Sequence, residues 1–276
     1  MAQSDPAMEA ANALVDLWGG ITPDSIWKGR TGRGVRVAVV DSGIDVRHPA
    51  LKGKVKESVE AVVENGKVVF HPSTSGDQAG HGTACAGIIT DKDIAPDVEL
   101  YSIKVLGPNA SGSGDMFLAG LDYAIKQKMQ VVNMSLGTTK PQYFGPLHDL
   151  LDRAYHAGCI LVAAANNLPQ PSYPSIFSSS LVSVVKREGA DPFNFGYRYG
   201  EVIELVAPGV QVRTTWPGGG YRQVTGNSFA CPYITGIIAL IMETYPNLTP
   251  FEIKTVLYAI ARRNQERQQQ PASPKE

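Results

Sequence analysis

Val35-Arg36-Val37-Ala38-Val39-Val40-Asp41-Ser42-Gly43 decides the architecture. Val35 to Val40 is rich in β-branched residues and has only Arg36 as a polar interruption. So short and nearly continuous an apolar run reads as a strand buried on both faces, the habit of parallel sheets. It ends on a carboxylate, Asp41, followed by Ser42 and a turn at Gly43. The carboxyl ends of parallel strands are where α/β proteins place their chemistry.

Working outward, similar runs recur at Val98 to Val105, Gln130 to Met134, Ile160 to Ala165, Leu181 to Val185 and Val202 to Val206. Helical patterns separate several of them. Asp115 to Lys128 has apolar residues at helical spacing with a polar opposite side, and Pro146 to Ala157 behaves likewise. Tyr233 to Met242 is apolar all round, which predicts a central, buried helix. Thr249-Pro250-Phe251-Glu252 is a capping box with proline at the first helical position, opening a last helix to about Ala261. Gly218-Gly219-Gly220 precedes a strand and reads as a hairpin turn. This alternation predicts an α/β fold of three layers, a mostly parallel central sheet covered by helices on both faces. No repeat or linker divides the chain. One domain over 21–262 is expected, with an N-terminal arm at 1–20 and a disordered tail at 263–276 that is too polar to pack.

Composition narrows the function classes. With 276 residues, 43% of them hydrophobic, the chain can bury a substantial core. The net charge is −1 and no basic block is present, so nucleic acid is not an expected partner. Ile234 to Met242 is too short to span a bilayer, and no membrane partner is expected. Three cysteines, Cys85, Cys159 and Cys231, have neither disulfide-framework nor zinc spacing and read as small buried thiols. The N-terminus has no signal-peptide pattern, so the chain as it stands is expected to be cytoplasmic, or secreted if it is the mature part of a precursor. A monomer is expected.

Three segments carry the chemistry. Asp41 ends the first strand, His81 lies in Gly80-His81-Gly82-Thr83-Ala84-Cys85 near a helix start, and Ser228 lies in Gly226-Asn227-Ser228-Phe229-Ala230-Cys231-Pro232 where the buried helix begins. Taken singly, the aspartate reads as a turn cap, the histidine equally as a core residue or a functional group, and the serine as an N-cap. Pro232, tolerated only in a first helical turn, places that helix start near Ser228. Together, in the order Asp, His, Ser, they form a nucleophile, a base and an orienting carboxylate.

With these motifs, and with Asn133-Met134-Ser135-Leu136-Gly137 and Ala207-Pro208-Gly209, the chain resembles the subtilisin-like serine proteases from about Ile21 to Arg262. The resemblance implies a subtilisin-like fold and a serine endopeptidase with Asp41, His81 and Ser228 as its triad. It implies that Asn167, after Val162 to Ala165, stabilises the oxyanion, although Asn166 stands where the family usually has glycine. It also implies that Ser113-Gly114 and Ser135-Leu136-Gly137 are two extended segments between which a peptide or unfolded protein lies as an added strand. Gly114 and Gly137 are expected to let the backbones approach. No cofactor is expected to be required. The Asn-rich loop that holds a tight calcium in many relatives is missing at Thr90 to Pro96, and Asp91, Asp93 and Asp97 are the remaining oxygen donors for a different calcium site. Leu168 to Pro174, shorter than in the family, is expected to wall the pocket for the residue before the cleaved bond. General protein turnover and maturation of a specific peptide both fit. A silent peptide-binding version of the fold is opposed by the intact triad, and a nucleotide-binding α/β protein by the absence of a Gly-rich strand–helix turn.

Overall fold

In the computed structural model, which describes residues 22–269, the strand over the deciding stretch is β1, Arg36–Asp41. The expected arm at 1–20 lies outside the described residues. Residues of β1 alternate between two cores. Val37 and Val39 join one apolar cluster, and Ala38 and Val40 join the other. Val131 and Val132, and Ile160 and Leu161, divide the same way. A strand with an apolar layer on each side has no polar face to show, which explains the unbroken runs.

The chain enters through a short helix, α1, Pro23–Trp27, before β1. A long antiparallel hairpin follows, β2 (Val55–Glu64) and β3 (Lys67–Pro72), and then α2, His81–Ile89. Next come β4 (Glu99–Lys104), α3 (Gly114–Lys126), β5 (Val131–Met134), α4 (Phe144–His156) and β6 (Ile160–Ala164). The second half holds β7 (Val182–Arg187), β8 (Gly196–Tyr197), β9 (Leu205–Pro208), the hairpin β10 (Val212–Trp216) and β11 (Gly220–Val224), and helices α5 (Asn227–Thr244) and α6 (Pro250–Gln269). Nine strands form one sheet in the order β3-β2-β4-β1-β5-β6-β7-β9-β8. The inner seven pair in parallel and the two edge strands are antiparallel. Residues of α2, α5 and α6 fill the core on one face, and residues of α3 and α4 fill the core on the other. The expected three-layer α/β fold is what forms.

Helix α5 is the centre of the larger core. Fourteen of its 18 residues are buried, and Ile234, Ile237, Ile238 and Ile241 are wholly inaccessible. Side chains of this size contribute about 1.5–3 kcal/mol each on full burial, so this helix is a principal anchor of the fold.

Four expectations need correction. The last helix runs to Gln269 rather than ending near Ala261, so 263–269 is not disordered; residues 270–276 lie outside the described residues. Polar groups rather than apolar ones hold this extension. Asn264 donates to the carbonyls of Phe193 and Phe195, and Gln265 pairs with both backbone groups of Tyr197. The expected strand at Val202 to Val206 forms later, at Leu205–Pro208, because Val202 lies on the surface. Pro232 lies at the sixth position of α5, past the first turn. Its missing N–H leaves the Ser228 carbonyl without a helical donor, and the Ser135 hydroxyl fills that place at 2.8 Å. Finally, Ser113 and Gly114 are not both extended, as the site geometry shows.

Candidate active site

Asp41, at the end of β1, is completely buried, and Nδ1 of His81 approaches its two carboxylate oxygens at 2.8 and 2.9 Å. The Ser42 N–H also donates to Asp41, at 2.7 Å. With the proton held on Nδ1, the opposite nitrogen, Nε2, is an acceptor. The imidazole side chain keeps 20% of its surface exposed. Phe229 packs against the ring at 5.3 Å between centroids.

His81 is the first residue of α2, and local chemistry fixes it there. Gly80 adopts φ 85°, and a Cβ on it would strike the Trp216 ring. Gly82 permits close packing on β1, since a Cβ there would fall 2.1 Å from the Gly43 carbonyl oxygen. A residue the sequence reading passed over, Asp77, holds the turn before the helix. Its Oδ1 accepts from the Ser42 hydroxyl and from the N–H groups of Ala79 and Gly80. Its Oδ2 accepts from the N–H and hydroxyl of Thr83. Ser42 Oγ in turn accepts from the Gly82 N–H at 3.0 Å. This network joins the strand bearing Asp41 to the helix bearing His81. Its one visible signal in the sequence is an acid closely preceding Gly80-His81.

Ser228 is the second residue of α5, so it is not the N-cap. Ser228 and His81 both line one cleft of 380 Å³. In this resting arrangement the Ser228 hydroxyl donates to the Ser135 carbonyl at 3.1 Å rather than to His81. A second cleft, of 400 Å³, lies against the other side of Ser135, Leu136 and Gly137 and reaches Ser228, Asn167, Leu168 and Gln170. Of the expected wall at Leu168 to Pro174, Leu168, Gln170 and Ser172 line this cleft. Asn166 braces it by donating to the Gln170 carbonyl and accepting from the Leu168 N–H.

Asn167 is oriented by its neighbour. The Asn227 N–H donates to Asn167 Oδ1 at 2.8 Å, which leaves Nδ2 as the end available to a ligand. Asn227 is fixed in turn through its own amide, which donates to the Ala165 and Asn166 carbonyls and accepts from the Lys186 N–H. The Ser228 N–H lies in the first turn of α5, where helical N–H groups have no intrahelical acceptor.

The peptide-binding segments differ from expectation in detail. Ser113 is extended but caps α3, accepting from the Met116 N–H, and Gly114 is the first helical residue. The favourable cap overrides an extended course there. The two glycines are needed against the protein itself. A Cβ on Gly114 would meet the Tyr143 ring at 2.1 Å, and one on Gly137 the Tyr173 carbonyl at 2.7 Å. Both segments still line the clefts beside Ser228.

Cys85 and Cys231 lie beneath the site. The Cys85 thiol points to Asp41 Oδ2 and the Ser228 carbonyl, and burial, with the Asp41 charge added, pushes its pKa well up. Burial pushes the Cys231 thiol to about 12. Both stay protonated and unreactive at neutral pH. Among the described residues, Asp41, His81 and Cys85 are the one group of three such ligand-type side chains drawn together. Asp93 is paired with Lys92, and Asp97 with Arg33.

Comparison with known proteins places the chain that carries this arrangement in a family. The profile of the Subtilase family matches residues 32–273. The chain belongs to the subtilase family. This subtilase is 34% identical to Subtilisin Savinase of Lederbergia lenta over 239 residues, 83% of this chain and 84% of that protein. It is equally identical, at 34% over 239 residues, to M-protease of Shouchella clausii (strain KSM-K16), covering 83% of this chain and 60% of the relative. Among solved structures, a cold adapted subtilisin-like serine proteinase superposes with a TM-score of 0.67 at 27% identity, covering 82% of the subtilase and 81% of that chain. Among the described residues no helix is long and apolar enough to cross a membrane.

Proposed function

We propose that the chain is a serine endopeptidase, cleaving peptides or unfolded proteins through an acyl-enzyme with Asp41, His81 and Ser228. The observation that carries this reading is the buried Asp41–His81 pair, whose imidazole shares a cleft with Ser228. As the substrate main chain enters along Ser135 to Gly137, its N–H competes for the Ser135 carbonyl. The Ser228 hydroxyl is thereby released to turn to His81 Nε2. Oγ then attacks the scissile carbonyl while Nε2 takes the proton. Asp41 stabilises the imidazolium, and Nε2 returns the proton to the departing amine. Asn167 Nδ2 and the Ser228 N–H stabilise the tetrahedral oxyanion. Water repeats the sequence on the acyl-enzyme. We propose no cofactor for these steps, since protein groups supply each proton and each donor. Of the two compartments expected from the sequence, the comparisons support the secreted one rather than the cytoplasmic one.

Labelling with a fluorophosphonate tests the reading. One adduct per chain is expected by intact mass, and none on a folded Ser228→Ala control. A folded parent protein that takes up no label would defeat it. Asn167→Ala is expected to lower kcat by about 10²–10³-fold with little change in KM, the loss associated with one oxyanion donor in a subtilisin. Initial-rate kinetics on a peptide substrate measures both constants.

The same site sets a pH dependence. Burial acts to lower the His81 pKa and is the largest influence, but the Asp41 charge, its hydrogen bond and the Asp77 charge together raise it above the ordinary 6.5. Catalysis needs the neutral ring, so kcat/KM should rise with pH through a value above 6.5. Stability runs the other way. The contribution of protonated His81 is complete below 6.5 and is lost as pH passes the raised value. A pH–rate profile beside thermal unfolding over the same range checks both limbs.

A further inference from the structure

We propose that the β10–β11 hairpin binds the leaving-group half of the substrate and favours an acidic side chain within the first three residues after the cleaved bond. The inference rests on the peptidase reading above and deepens it. Both clefts beside Ser228 lie along Ser135 to Gly137, where the acyl half of a peptide is placed. The departing amine receives its proton from His81, so the leaving half extends past that ring and away from the clefts. The surface it meets there is built by the hairpin. The Trp216 ring fills the space beside Gly80, the residue before His81, and β11 ends at Val224, four residues before Ser228.

Two cations stand on this hairpin. The Arg222 guanidinium lies over the Trp216 ring at 4.3 Å from its centroid, and that of Arg213 over Tyr221 at 4.2 Å. Both arginines are exposed, and among the described residues neither has a carboxylate partner. The nearby carboxylate, Asp45, is already engaged by the Gly218 N–H and lies 4.0 Å from Arg47. Stacking on an aromatic face leaves an arginine charged and holds its planar fork in a defined orientation, so less freedom is lost when it binds a carboxylate. Thr214 and Thr215 brace the hairpin by donating to the Ala84 and Thr83 carbonyls of α2. The ribbon is thereby fixed relative to α2, with Arg222 on the face that carries Trp216, next to Gly80 and His81, and Arg213 on the opposite face with Tyr221.

The test starts from a bond that the enzyme cuts in denatured casein. Quenched peptides keep the acyl half of that site and carry Asp, Ala or Lys at each of the three positions after the bond. Asp over Lys is expected to be preferred by about tenfold in kcat/KM at the most responsive position. The preference should shrink as salt is raised. In Arg222→Gln the Asp-to-Lys ratio should fall toward one, and Arg222→Lys should restore part of it. Equal cleavage of the Asp and Lys peptides, or a ratio that Arg222→Gln and Arg213→Gln both leave intact, overturns the inference while the peptidase reading stands. Failure to cut casein together with failure to take up fluorophosphonate removes both.

Discussion

Ser228→Ala is expected to lower kcat by about 10⁶-fold, a magnitude carried over from removal of the triad serine in a subtilisin. On the proposed mechanism the loss is that large because Oγ forms the acyl bond and no other group is placed to do so. Cys85 lies beneath the site, but it is wholly buried and its thiol is held protonated by burial and by Asp41. What activity remains should come from Asn167 and from positioning of the substrate. The fold should be unaffected, since the single hydrogen bond donated by Oγ goes to the Ser135 carbonyl at the cleft surface. Circular dichroism should therefore match the parent while peptide hydrolysis falls to background. A variant retaining a tenth of the parent rate would remove Ser228 from its role.

Asp77→Ala is expected to be the most damaging substitution outside the triad. It strips the acceptor from five donors: two hydroxyls and the N–H groups of Ala79, Gly80 and Thr83. Each buried donor left unpaired costs about 1–3 kcal/mol. Water entering the space recovers part of this, which leaves a loss of about 5 kcal/mol and a fall in Tm of about 10–20 °C for a domain of this size. Below the new Tm, kcat should fall as well, because the freed turn is the one that sets His81 against Asp41. Asp77→Asn should lie between. Its carbonyl can still serve the Ala79 and Gly80 side, but its NH₂ faces the Thr83 N–H and loses that bond. Thermal unfolding and kcat at a common temperature separate the two effects. A Tm change under about 3 °C for the alanine variant would show that the cluster is not what holds the turn.

What could be read from the chain followed the physics of each element. β1, β5 and β6 were legible because burial on both faces leaves no choice but apolar residues. Helix α5 was legible for the same reason. Hairpin β2–β3 was not, because it forms one edge of the sheet and most of its residues are partly or fully exposed. An edge ribbon has neither a continuous apolar run nor a clean alternation. The end of α6 was missed because its anchors, Asn264 and Gln265, act through amide hydrogen bonds to distant backbone, and a polar tail looks the same whether or not such partners exist. At the site, Asp41, His81, Asn167 and Ser228 stood out through their motifs. Asp77, Asn227 and Ser42 did not, since a residue that only positions others carries no chemical signature of its own. The reading of Gly114 and Gly137 placed the need for glycine on the substrate side, whereas Tyr143 and Tyr173 impose it from within.

The burial of α5 also bears on how such an enzyme can change over evolutionary time. The reacting hydroxyl sits at the head of a helix in which nearly every side chain is locked into the core, so most substitutions along it cost stability before they alter chemistry. The groups proposed to meet the substrate, from Leu168 to Gln170 on one side and the arginines of the β10–β11 hairpin on the other, stand on exposed loops and a surface ribbon where replacement is cheap. The reaction and its selectivity therefore reside on parts of the molecule that tolerate change very differently. A lineage built on this scaffold is free to explore new targets while its bond-breaking machinery is held constant by the core.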